Sequence, residues 1–218
     1  VPITDLTIKD NSLIVATQGR SIWMLDDLTV IHQLSSSTDQ EKLYKPKDSY
    51  RIRGAGGRKS LTAGTNLTNG VIIHYFLPNF NKESDEVNLS IHSSDGELIK
   101  EFSNKSKENS IKVKKGGNSF VWDMKYPGAK RLDNMVLWGA DFSGAKTVPG
   151  DYIVKLSVND SELTQNFTIH KDPTSEGSIE DIKAQFEFVN EINGVVDSAH
   201  KAIENIRKIK KDLTKFQS

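Results

Sequence analysis

Two adjacent carboxylates, Asp26 and Asp27, end the stretch ATQGRSIWMLDD at residues 16–27. A glycosidase needs two carboxyls facing each other across a sugar, about 5–9.5 Å apart. Neighbouring residues on a strand point to opposite faces, so this pair does not converge on one substrate. It reads as a strand-end turn with local hydrogen bonds.

Other candidates sit further along. The loop at 125–148 carries Tyr126, Met135, Trp138 and Phe142 among Gly, Lys and Arg. Aromatic rings on a loop can stack on a sugar or anchor a neighbouring domain, and loops of rigid scaffolds often carry function. Tyr126, Trp138 and Phe142 are therefore the candidate ligand-binding residues. The competing reading has this loop fold back and seal one end of a β-domain. Trp122, in SFVWDM at 119–124, reads as core. The histidines His32, His74, His92, His170 and His200 lack the i, i+4 spacing of a helical metal site. His74, His92 and His170 lie on strand-like stretches and are read as exposed strand residues. RGAGGRKS at 53–60 lacks the spacing of a phosphate loop. No catalytic residue, metal ligand or cofactor site is assigned.

Positioning these residues falls to elements of three kinds. Residues 5–8, 12–17 and 20–25 are short β signals, punctuated by turns at Asp10-Asn11 and Gln18-Gly19. They predict a three-stranded meander over 1–34, too small to stand without a partner. Residues 35–69, rich in Gly, Ser and Lys, read as a linker. From 70 to 171, strands alternate apolar and polar residues at 71–77, 86–92, 97–102, 110–114, 119–124, 151–158 and 162–170. Seven short strands with turn signals between them predict an immunoglobulin-like β-sandwich. From 172 to 218 the period changes to three and four. Ser178 and Asp181 form a capping-box pattern, followed by an apolar stripe from Ile179 to Phe216. Asn193-Gly194 makes this stretch either one long helix or a helical hairpin.

Composition narrows the function classes. The 218 residues carry 29 basic and 29 acidic side chains, no basic excess for nucleic acid. The absence of cysteine excludes disulfides, thiolate metal sites and a cysteine nucleophile. No apolar run reaches the ~20 residues of a membrane span. The chain opens on VPITDLTIKD with neither an initiator Met nor a basic leader, as if upstream sequence had been removed.

DLTIKDNSLIVATQGRSIWMLDDL (5–28) resembles the last-blade segment of bacterial sortilin-like, BNR-repeat β-propeller proteins often labelled glycosyl hydrolases. In those proteins a GTHGRG-x-W-x-LDD-like strand pair ends the propeller. Here Gln18 stands for the usual His and Ser21 for the second Gly. GGNSFVWDMKYPGA (116–129), VPGDYIVKLSV (148–158) and TQNFTIHKDP (164–173) resemble the Ig-like module that follows such propellers, and flagellar hook-cap-type Ig-like domains. AQFEF (184–188) is similar to the segment after it. The resemblance implies a mainly β chain: a propeller-blade meander, an Ig-like sandwich, and a helical tail. It implies a secreted or periplasmic, non-catalytic structural or interaction module, partnered by the propeller of its parent protein. The alternative is a carbohydrate-binding accessory module of a glycosidase. Acidic residues early in the tail and basic ones late in it make a homodimer through the C-terminal helix a further expectation.

Overall fold

The structure, a computed structural model, describes residues 1–34, 39–52, 68–135, 139 and 141–216. It consists mainly of strands in sheets, with one long C-terminal helix. The chain divides into two compact units: Val1–Asp123 with Gly150–His170, and Met124–Pro149 with Lys171–Ser218.

In the first unit, β1 (Ile3–Lys9), β2 (Ser12–Thr17) and β3 (Ile22–Leu25) form an antiparallel meander. Asp10 and Asn11 both take positive φ, 50° and 64°, between the paired Lys9 and Ser12. Short polar side chains tolerate this conformation, which matches the twist of a two-residue hairpin. A single helical turn, α1 (Thr29–His32), follows.

Residues 39–52, inside the span read as linker, supply two short strands, β4 (Lys42–Leu43) and β5 (Ser49–Arg51). The remaining strands are β6 (Val71–Leu77), β7 (Val87–Ser93), β8 (Leu98–Ser103), β9 (Gly116–Trp122), β10 (Gly150–Val158) and β11 (Ser161–Lys171). One sheet has the order β5-β11-β10-β7-β8 and the other β4-β6-β9. The pairings β10–β11, β10–β7, β7–β8, β4–β6 and β6–β9 are antiparallel. The predicted alternation sets the faces: Val71, Ile73, Tyr75 and Leu77 are buried, as are Val87, Leu89 and Ile91, and Tyr152, Val154, Leu156 and Val158. The rings of Trp122 on β9, Tyr152 on β10 and Phe167 on β11 meet at centroid distances of 6.0 and 6.3 Å from Trp122. Phe102 on β8 lies 4.6 Å from Phe120 on β9. Residues of both sheets thus share one aromatic core.

The stretch at 110–114 alternates like a strand but forms only a bridge at Ser110 to Ser103. The Asn118 side chain accepts from Lys114 N and donates to the carbonyls of Lys114 and Gly116. It thereby holds the turn between residue 114 and β9.

In the second unit, α2 (Ile179–Phe216) is one uninterrupted helix of 38 residues, about 57 Å long. Asn193-Gly194 is neither a hairpin tip nor a break. The Gly194 carbonyl still bonds the hydroxyl of Ser198, 2.8 Å away. The capping box forms as expected, with Asp in the usual Glu place. The backbone N–H and hydroxyl of Ser178 both donate to Asp181 Oδ2 at 2.9 Å, and Asp181 N donates back to Ser178 Oγ at 3.0 Å.

Candidate functional site

The loop carrying the predicted aromatics is built by two crossings of backbone. Tyr126 N donates to Ala145 O at 2.9 Å, and Thr147 N to Met124 O at 2.7 Å. Gly128 and Gly144 permit the approach. A Cβ on Gly128 would stand 1.7 Å from Phe142 O, and one on Gly144 would stand 1.8 Å from Tyr126 O.

This clasp packs on α2 residue by residue. The Tyr126 ring meets Phe186 edge-on at 4.8 Å, and Phe142 meets the His200 ring at 5.8 Å with Arg131 over its other surroundings at 5.6 Å. Lys130 N donates to Asp197 Oδ1 at 2.7 Å, and His200 Nδ1 donates to the Lys130 carbonyl. Arg207 Nη1 donates to the Asp133 carbonyl at 2.9 Å. His200 is buried, so its hydrogen bond satisfies a polar group that would otherwise be costly. Two of the three predicted ligand-binding residues, Tyr126 and Phe142, therefore spend ring surface on the helix; Trp138 lies outside the described residues. The structure brings Tyr126 and Phe142 onto one helix face.

The other candidates separate as well. Asp27 Oδ1 accepts from Thr29 N at 2.9 Å and Asn11 Nδ2 at 3.2 Å, closing an Asx turn. At Asp26 it is the backbone carbonyl that accepts, from Ser12 Oγ. Trp122 is fully buried and offers no face to a sugar. His92 donates from Nδ1 to the Gly96 carbonyl and accepts at Nε2 from Ser90. His170 lies 3.4 Å from Asp48 and 5.3 Å from the Tyr50 ring centroid. Among the described residues no group of three His, Asp or Glu is placed to hold a metal ion.

One open groove, of about 690 Å³, lies in the first unit on the outer face of the β4-β6-β9 sheet. Val30 and Leu34 at α1, Tyr44, His74, Phe76 and Ser119 help line it. Burial holds the His74 imidazole below its ordinary range, opposed by the nearby Asp27 carboxylate. The groove mixes apolar side chains with the His74 imidazole, whose charged form burial disfavours. Lys112 and Lys114 also line it, so titratable groups other than His74 face the same groove.

The feature that sequence reasoning did not isolate is a face of the meander. Register sets Leu6 beside Val15 beside Trp23, and Ile8 beside Leu13 beside Leu25. Side chains directly opposite across a ladder share a face, so six apolar residues form one surface. Leu6 is 56% exposed, Ile8 65% and Trp23 63%. Counting alternation across all three strands, instead of along each, would have found it.

No known family, curated protein or solved structure matches the chain. Among the described residues, no helix is long and apolar enough to cross a membrane.

Proposed function

We propose that the chain is a non-catalytic structural module of a larger secreted or periplasmic β-propeller protein. In this reading β1–β3 closes the last blade, the two sheets form an Ig-like sandwich behind it, and α2 with its clasp is an accessory surface. The observation that carries the reading is the apolar face of Leu6, Ile8, Leu13, Val15, Trp23 and Leu25. Burying one large apolar side chain is worth roughly 1.5–3 kcal/mol. A three-stranded sheet that forgoes this at several positions is a surface made to be covered, and a neighbouring propeller blade is a cover of matching twist and shape.

The test is made in the longer polypeptide that the reading requires. Deleting residues 1–34 from it abolishes the cooperative melting of the propeller, while the sandwich transition persists. A propeller that melts unchanged without these residues overturns the proposal. Calorimetric titration with oligosaccharides separates the carbohydrate-binding alternative. The structural reading expects no saturable heat; saturable heat lost on Trp138→Ala would replace it.

A further inference from the structure

The helix α2 carries two apolar faces, and among the described residues only one is covered. The clasp at 124–149 covers the face of Ile182, Phe186, Val189, Val196, His200 and Ile203, all buried or half-buried. A second row begins at Phe188, which is 61% exposed, and ends at Leu213, which is 60% exposed. Along it the apolar spacing alternates four and three without a slip. That is the a/d seam of a coiled coil, and its members are all exposed. Over its 26 residues the seam runs about 38 Å.

We propose that this seam pairs with the same seam of a second copy, antiparallel, about an axis between Ala199 and Ala202. The row is self-complementary when reversed. Phe188 meets Leu213, Ile192 meets Ile209, Val195 meets Ile206, and Ala199 meets Ala202 of the second copy. Every layer joins an a to a d position, as antiparallel pairs require. The largest side chains stack at the two ends, and the alanines allow close helix approach at the centre.

Charge selects the same direction. Glu187 and Glu191 lie at one end of the seam, and Lys208, Lys211 and Lys215 at the other, with Asp212 among them. Reversal sets the end that bears two Glu over the end that bears three Lys, with Glu191 and Asp212 as the one like-charged pair directly beside the seam; a parallel pair in register would set both ends like over like. This pairing rests on a different face from the meander and stands independently of the propeller reading. It also moves the expected homodimer from the whole apolar stripe to the part of the helix that the clasp leaves open.

Sedimentation equilibrium and site-directed cross-linking test it on the full 218-residue chain. The sequence has no cysteine, so introduced thiols report without background. The chain sediments as a dimer, and Ile206→Asp sediments as a monomer with unchanged helical circular dichroism. Lys201→Asp, a charge change off the seam, leaves the dimer. Mixed under oxidation, Phe188→Cys and Leu213→Cys chains form the 188–213 disulfide in preference to either same-site product. A monomeric parent chain, a dimer that survives Ile206→Asp, or dominant 188–188 cross-links would each overturn the proposal.

Discussion

At the scale of single residues, the tightest constraint is the pair Gly128 and Gly144. Each faces a carbonyl oxygen at a distance no methyl group can share. Neither needs a positive φ, so the demand is purely steric. Gly144→Ala is expected to cost about 1–3 kcal/mol, the range for overpacking a tight site. Thermal unfolding measures it, and a variant melting with the parent would show that the crossing relaxes freely. His74 gives a second prediction. Its imidazole is lowered in the folded state by burial, so the unfolded chain binds the proton more tightly. The sign follows from linkage: stability is full above about 6.5, the unfolded value, and falls as pH drops below it. His74→Gln should therefore flatten the loss of thermal stability between neutral and mildly acidic pH. An identical pH profile in parent and variant contradicts this account of the groove.

At the scale of elements, the capping box fixes where α2 begins. Hydrogen bonds from the Ser178 backbone and hydroxyl hold the Asp181 carboxyl below the usual carboxylate range. Ser178→Ala should cost about 1 kcal/mol, measured by chemical denaturation, and fray the first turn. Trp122→Ala, which empties the centre of the aromatic core, should cost about 3–5 kcal/mol by the same measurement. Both features were legible in the sequence, because a cap and a period-2 strand are local patterns. The strands at 71–77 and 151–158 follow their alternation for the same reason. The failures are equally physical. IKVK at 111–114 has a strand's pattern, yet Asn118 takes both backbone groups of Lys114 and Ile111 N bonds the Ser103 carbonyl. The strands β4 and β5 are two and three residues long, too short for any period to show. On α2, the apolar residues of two adjoining faces merge into one broad stripe in the sequence. Only the clasp, made by the crossing at Gly128 and Gly144, divides them. The same crossing turns Tyr126 and Phe142 toward the helix, which no spacing in the loop reveals.

At the scale of the whole molecule, apolar surface is exposed among the described residues on the meander in one unit and along the α2 seam in the other. Each is made by register, not by composition, and each implies its own partner. For the meander, Trp23→Asp should weaken binding of a hydrophobic dye to the 218-residue chain while leaving the β6–β11 core folded. Dye binding equal to that of the parent would place the dye's surface elsewhere. The most direct measurement is amide hydrogen exchange at β1–β3. It compares the 218-residue chain with the longer propeller polypeptide that the proposed function requires. Our account predicts fast exchange across Ile3–Leu25 in the 218-residue chain. In the longer polypeptide it predicts protection rising to that of β6 and β10. Slow exchange across β1–β3 in the 218-residue chain alone, unchanged in the longer one, would contradict it.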